Sequence, residues 1–287
     1  MVLKNWKRIL GATISIEDFA LYRINYQPKA INMGEILKTV NLLSRNVVFI
    51  DDNPVERDAM QAAYPDIRVL GDLPLYFKRI LMWSAETQVA QLTNESVLRT
   101  DMVQSQIKRD ETSKGMTRDV FLASLELAVE IEVIRSTDHK KFARAFELIN
   151  KTNQFNTTGI RLSASDAQSH FDDGGLFYTF AVADRHTPYG LVGVLMTKNA
   201  DILQYVMSCR VAGLNVEDGV LATVLGLLPA DRQICTARMI HTDANLLCRE
   251  VYQRAGFSNE GEIWTRNLQI ELPTMPSHLA ISLEGGH

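Results

Sequence analysis

Apolar positions recur in two rhythms along this chain, and the change between them falls near residue 117. Over residues 1–80, short apolar runs alternate with amphipathic stretches. Residues 18–24 predict a strand, 30–43 a helix, 46–50 a wholly apolar strand, 55–63 a helix and 67–70 another strand. Pro54 stands at a helix start, where its missing N–H costs little. Apolar strands each followed by a helix imply a parallel sheet, with ligands beyond the strand C-terminal ends. Residues 81–116 read as a connector, polar and helical over 86–110. Thr93 is its expected cap, Arg99, Lys108 and Arg109 lie on solvated faces, and 110–115 is a boundary loop.

Beyond 117 the pattern is α+β. Residues 128–134 alternate like a half-buried strand, and a helix runs from Asp138 to about 150 with Phe142, Phe146 and Ile149 at core spacing. A hairpin follows (176–183 and 191–197, loop 184–190), then a strand at 201–210 and an apolar helix at 216–228 stopped by Pro229. A strand at 233–240, a helix from Asp243 or Asn245 to Ala255, and a last strand at 262–270 complete the domain. Residues 274–287 form an expected tail.

Composition narrows the class. With 46% hydrophobic and 22% charged residues the chain is of ordinary globular type, and its net charge of −4 argues against a nucleic-acid partner. Its three cysteines, Cys209, Cys235 and Cys248, have no CxxC spacing, which fits a reducing compartment without a disulfide framework. No apolar run is long enough for a membrane span or export signal, so no membrane partner is expected and the cytoplasm is the expected location.

Candidate chemistry centres on residues 204–217. An apolar strand stops at Ser208-Cys209, an Arg210-x-x-Gly213-x-Asn215 turn follows, and a helix opens at Val216-Glu217. Strand end, tight turn and helix N-terminus together make an anion site, where Cys209 would gain thiolate character. The structural alternative for Cys209 is a small buried strand residue. Arg210 can hold a phosphate in bidentate fashion or pair with Glu217. Glu217 is a base or a helix-dipole partner. His241, at the next strand's end, is a candidate base for Cys209. Tyr252 is a candidate acid or a packing residue, and Cys235 and Cys248 fit a core. The amide-rich run 151–158 includes Asn153, Gln154 and Asn156, which can orient a polyol or acyl carbonyl, or cap a helix through side-chain-to-backbone bonds. Asp51 and Asp52, at an apolar strand's end, suit Mg²⁺ or a helix cap.

Phe49-Ile-Asp-Asp-Asn-Pro-Val-Glu-Arg-Asp58 resembles the metal-binding acidic motif of the haloacid dehalogenase (HAD) superfamily. More narrowly it is similar to the FkbH-like group, as are Arg23 to Asn32, Thr152-Asn-Gln-Phe-Asn156 and Met207-Ser-Cys-Arg-Val211. Lys29 falls at the place of that family's phosphate-binding lysine. The Asp-x-Asp nucleophile motif occurs nowhere in the chain, so residues 1–80 resemble the back half of a HAD domain, without phosphatase turnover. From 117 the order of elements resembles the GNAT acyltransferase fold. Arg210-x-x-Gly213-x-Asn215 is similar to its pyrophosphate turn, and Asn245 to Phe257 is similar to its following helix. Asn215 departs by replacing a small residue, and His241-Thr-Asp-Ala-Asn245 departs from the FkbH-like Pro-Thr-x-Lys-Asn.

The resemblance implies a partial Rossmann-like HAD segment followed by a GNAT-like mixed-sheet domain, α/β and α+β in class. It implies transfer of a glyceryl unit through a Cys209 thioester to an acyl carrier protein in natural-product assembly. Phosphopantetheine or coenzyme A would be the thiol substrate, and a missing HAD half is an expected partner in trans. Two alternatives stand beside this: a non-catalytic carrier-binding fragment of a split gene, and a coenzyme A-dependent N-acyltransferase.

Overall fold

The computed structural model describes residues 2–6, 8, 13–40, 42–85, 87–88, 99–112, 115–229 and 231–284. The chain divides into two compact units, Met1–Lys114 and Gly115–His287.

The N-terminal unit contains α1 (Lys29–Val40), β1 (Val48–Ile50), α2 (Pro54–Ala63), β2 (Arg68–Leu70), α3 (Phe77–Trp83) and α4 (Arg99–Thr112). β1 and β2 pair in parallel, from Val48 opposite Arg68 to Ile50 opposite Leu70. Asn53 caps α2, its Oδ1 accepting the Val55 N–H at 3.0 Å, with Pro54 in the first turn as the sequence predicts. Met33, Leu37, Met60 and Ile67 form this unit's small core. Arg57 reaches from α2 to donate to the carbonyls of Asp51, Asp52 and Gly71, holding the strand ends together.

The strand expected at 18–24 does not form. A 3₁₀ turn at Ile16–Asp18 is closed by reciprocal bonds between Ser15 and Asp18, and irregular chain follows. Local side-chain bonds there outcompete an extended backbone that has no neighbouring strand to pair with. The expected cap Thr93 lies outside the described residues. α4 runs on to Thr112, into the expected boundary loop, and Arg109 is buried rather than solvated.

The C-terminal unit contains α5 (Arg118–Ser124), β3 (Leu127–Ile134), α6 (Phe142–Lys151), α7 (Ala164–Asp172), β4 (Gly175–Ala183), β5 (Pro188–Lys198), β6 (Asp201–Met207), α8 (Val216–Leu227), β7 (Ile234–Arg238), α9 (Val251–Arg254), β8 (Ser258–Glu260), β9 (Ile263–Asn267) and β10 (Leu279–Glu284). Its eight strands lie in the order β10-β3-β4-β5-β6-β7-β9-β8. β10 with β3 and β6 with β7 are parallel pairs, and the other pairs are antiparallel. The fold of this unit is therefore the expected α+β type with one large mixed sheet. α6 and α7 cover one cluster, built on Phe177, Val194, Met196 and Val206. The larger cluster gathers α8 and α9 against Leu195, Tyr205, Cys235 and Trp264.

Several boundaries move. β5 begins at Pro188, so the hairpin loop shrinks to 184–187. There Asp184 Oδ1 accepts the His186 and Thr187 N–H groups at 2.8 Å each, the self-bonding turn that aspartate favours. The helix expected from Asp138 starts at Phe142, and the one expected to reach Ala255 breaks into a 3₁₀ turn, Leu246–Cys248, and α9. The expected tail holds β10, whose Leu279 and Ile281 close over Gly219 of α8; a Cβ at Gly219 would lie 2.7 Å from Leu279 Cδ1. Cross-strand from Phe180, Gly193 similarly leaves room for the ring; a Cβ there would lie 1.9 Å from Phe180 Cζ.

Candidate functional site

β6 and β7 are paired only through the first two residues of β6, Asp201 with Thr236 and Ile202 with Ala237. Beyond them β6 takes a different neighbour, the chain's own segment 155–157. Thr157 N–H donates to Tyr205 O at 3.0 Å, Met207 N–H donates to Phe155 O at 3.0 Å, and Asn156 bridges Val206 in antiparallel sense. On the β7 side, Ile240 N–H donates to Thr157 O at 2.8 Å. The run between α6 and α7 thus forms an inner strap between the two strand ends.

Buried amides hold the strap. Asn156 Oδ1 accepts from Thr158 N–H (3.2 Å), Gly159 N–H (2.8 Å) and Gln204 Nε2 (2.8 Å), while its Nδ2 donates to Thr152 O at 3.1 Å. Asn245 Nδ2 donates to Asn156 O (3.0 Å) and Ile240 O (2.8 Å), and its Oδ1 accepts from Thr242 N–H at 2.9 Å. Both side chains are buried. Asn156, expected to orient substrate, and Asn245, a candidate substrate contact through its place in the resemblance, instead spend their hydrogen-bonding capacity on the fold. Asn153 and Gln154 are exposed at the strap's entrance, with Asn153 Oδ1 accepting from Arg161.

Immediately after β6 the chain makes a 3₁₀ turn, Cys209–Val211, capped by Ser208. Cys209 is exposed, not the buried residue of the structural alternative. Arg210 Nε donates to Ser208 Oγ at 3.0 Å and its Nη1 to Tyr189 O at 3.4 Å. Gly213 (φ 79°) and Asn215 (φ 59°) are both left-handed, so the backbone rises into α8 through a turn that asparagine and glycine tolerate. A Cβ at Gly213 would meet nothing within 4 Å, so this side of the turn is open. Gly219 makes the first intrahelical bond, to Asn215 O, leaving the N–H groups of Val216, Glu217 and Asp218 without intrahelical acceptors.

Two arginines that the sequence did not flag complete the turn. Arg118, at the start of α5, donates to Gly213 O (3.0 Å) and Asn215 Oδ1 (3.3 Å). Arg254 takes the Glu217 pairing that was the structural alternative for Arg210: it bridges Glu217 at 3.2 Å and Asp218 at 2.8 Å, offsetting the negative charge of the first helical turn. Burial, aided by Asp218 and opposed by Arg254, raises the Glu217 carboxyl above its usual range. No spacing in the sequence links residue 118 or 254 to the turn; only the α8–α9 and α5 packing does.

The remaining expected residues are dispersed. His241 is exposed beyond the end of β7, with the strap interposed between that strand end and β6. Tyr252 is fully buried and packs against Phe257 and Trp264. Burial drives its hydroxyl well above the usual phenol range. Among the described residues no group meets that hydroxyl at hydrogen-bonding geometry, although it lies beside Thr157, whose Oγ1 accepts the Tyr205 N–H. Burial also pushes the Cys235 thiol up to about 12 and the Cys248 thiol to about 11, so both stay protonated core thiols.

In the N-terminal unit Lys29 Nζ and Asp51 Oδ2 meet at 2.5 Å at the end of β1. Asp51 Oδ1 accepts the Asn53 N–H at 3.0 Å, and Asp52 is exposed. Each Asp51 oxygen thus accepts one hydrogen bond, from Lys29 or from the Asn53 N–H. Among the described residues the acidic oxygens that converge are those of Glu130, Glu132 and Glu284, where Lys141 already pairs with Glu130 and Glu132. Burial tends to raise Asp51. The Lys29 bond, the Asn53 N–H and the charges of Lys29 and Arg57 outweigh it and hold the carboxyl below its usual range. A depressed folded pKa means stability that is present above the unfolded value, about 3.9, and lost as pH falls through the folded one. In Lys29→Met burial, the Asn53 N–H and Arg57 remain, so the depression should shrink. The fall in this unit's urea midpoint on acidification from about pH 5 to pH 3 should then be smaller than in wild type. An unchanged acid limb in the variant would refute the pairing.

Comparison with known families and with curated proteins gives no match for this chain. The FkbH-like resemblance accordingly rests on the motifs quoted above. Among solved structures the chain is similar to the aminoglycoside acetyltransferase AAC(6')-Ib in complex with coenzyme A. The identity is 12% and the TM-score 0.34, over 48% of this chain and 94% of that one.

Proposed function

We propose that the C-terminal unit is an acyltransferase that takes its acyl group from a phosphate-bearing thioester of the coenzyme A type at the turn 210–216. One observation carries this: an exposed thiol, Cys209, directly precedes a left-handed turn that opens α8 and is flanked by Arg118 and Arg210. The N–H groups at the helix start and the two guanidiniums would hold phosphate oxygens. Arg254 supports that reading by neutralising Glu217 and Asp218. Because the strap occupies the main-chain edge of β6 at Tyr205–Met207, the donor's thiol arm would approach along the exposed side of Cys209. Attack of the Cys209 sulfur on the thioester carbonyl, with the donor thiol leaving, exchanges one thioester for another at little free-energy change.

A second reading is favoured by the same exposed thiol. Cys209 would accept a 3-phosphoglyceryl unit from an acyl phosphate, releasing the acyl-bound phosphate, and pass it to the thiol of an acyl carrier protein.

Intact-protein mass separates these. Wild type and Cys209→Ala are incubated with acetyl-coenzyme A or with enzymatically generated 1,3-bisphosphoglycerate. A hydroxylamine-labile adduct on wild type, absent from Cys209→Ala, is the expected result. The donor that produces it selects the reading. Arg118→Glu should weaken coenzyme A binding about tenfold or more by placing like charge beside phosphate. No adduct from either donor, with Cys209 still alkylatable in folded protein, would leave the non-catalytic carrier-binding alternative.

A further inference from the structure

The segment that leads into β10 reaches back to the turn before α8. Gly219 permits this approach, since a Cβ there would also lie 3.7 Å from Pro276 Cδ. Leu279 N–H donates to Pro276 O at 3.1 Å, and Leu279 then opens the pairing of β10 with β3, opposite Leu127. His278 stands just before that pairing, so its backbone is anchored by the sheet. Its half-buried ring brings Nε2 to 2.9 Å from Leu214 O. A carbonyl can only accept, so Nε2 carries the proton and donates.

Two successive peptide groups of the turn are thus tied from outside it. Arg118 holds Gly213 O at 3.0 Å, and the N–H of the same peptide, that of Leu214, donates to Val211 O at 3.3 Å. His278 holds Leu214 O, but the N–H of this second peptide, that of Asn215, has no acceptor among the described residues. No cis peptide bond occurs among them, and in a trans peptide the N–H points opposite to the C=O. The Asn215 N–H is therefore aimed away from His278 and can turn only if Leu214 O leaves the ring. The Asn215 side chain does not cover it, because its Oδ1 accepts from Arg118 at 3.3 Å and its Nδ2 donates to Asp218 at 3.2 Å.

We propose that His278 is a positioning residue for the phosphate-bearing donor: by holding the Leu214 carbonyl it directs the Asn215 N–H to a phosphate oxygen. The inference rests on the reading of 210–216 as the donor's phosphate site. It adds a selectivity to that reading. A thioester that carries phosphate at the turn gains from His278, and a thioester of bare pantetheine, which has none, does not.

The test follows acylation of Cys209 in the full chain by acetyl-coenzyme A and by S-acetylpantetheine, the same thioester arm without phosphate. His278→Phe keeps a ring in place and removes its donor. The acetyl-coenzyme A concentration at half-maximal rate should rise about fivefold to tenfold at an unchanged limiting rate, as a charge-assisted hydrogen bond is lost. Acylation by S-acetylpantetheine should not change. His278→Gln, whose amide can donate to Leu214 O, should return the value to within about twofold of wild type. In wild type, with no substitution needed, the Asn215 amide proton should move downfield on titration with coenzyme A. Equal losses with both donors would make His278 a purely structural residue and overturn the proposal. So would an unchanged half-saturation in His278→Phe, a His278→Gln as weak as His278→Phe, or an unmoved Asn215 amide in wild type that binds coenzyme A. Wild type that neither binds coenzyme A nor is acylated by its acetyl ester would overturn the donor reading itself, and this inference with it.

Discussion

Gly71→Ala is expected to destabilise the N-terminal unit by more than about 3 kcal/mol, enough to detach β2 from β1. Gly71 has φ 138°, in the region that only glycine adopts without strain. An added Cβ would sit 1.8 Å from Asp51 O and 2.7 Å from Asp51 C, both backbone atoms. Asp51 cannot move aside: its N–H is bonded to Leu70 O, its carbonyl to Arg57 and its carboxylate to Lys29. Gly213→Ala is the control. It also has positive φ but open space around it, and should cost only about 1–2 kcal/mol. Urea unfolding followed through amide exchange, of β1 and β2 for Gly71→Ala and of β6 and α8 for Gly213→Ala, reads the difference. Equal effects of the two substitutions would show that Gly71 is conserving only a dihedral angle and not a close approach.

Asn156→Ala is expected to lower the stability of the C-terminal unit by about 3–5 kcal/mol. The substitution strips three donors of their acceptor and leaves Thr152 O without the amide it binds. These groups lie between two strand ends where water replaces them poorly, and each orphaned buried group costs about 1–3 kcal/mol. Asn153→Ala and Gln154→Ala, at exposed positions, should stay within about 0.5 kcal/mol. Thermal unfolding beside acyl-donor KM separates the roles. A stable Asn156→Ala with raised KM would restore that residue to the substrate, whereas the expected result is lost stability first.

Much of the architecture was legible in order along the chain. Apolar runs at 46–50, 128–134 and 202–207 specified strands because a buried strand needs consecutive or alternating apolar residues whatever its neighbours are, although the strand expected to reach 210 stops at Met207. Pro54 after Asn53, and Gly213 with Asn215 before Val216, marked helix starts through local backbone preferences that act within one turn. The exposed thiol turn belonged to this legible part, since strand, turn and helix follow one another directly. The Ser163–Asp166 capping pair of α7 and the Leu279, Ile281, Leu283 alternation of β10 were equally local signals, present though not used.

Other features had no local signature. Whether Asn156 and Asn245 meet substrate or main chain depends on partners 48 and 89 residues away. Sequence shows an amide's bonding capacity but not which groups come within 3 Å of it. The strap's place beside β6 arises because β6 and β7 pair over only two residues, leaving an edge that must be bonded once buried. Arg118 and Arg254 reach the turn through helix packing, and Tyr252 loses access to solvent because Phe257 and Trp264 close over it. Residue types and local order thus determined which elements form and where an anion-binding turn can lie. Tertiary structure alone decided which polar groups remain available for chemistry, because burial and long-range pairing consume the rest.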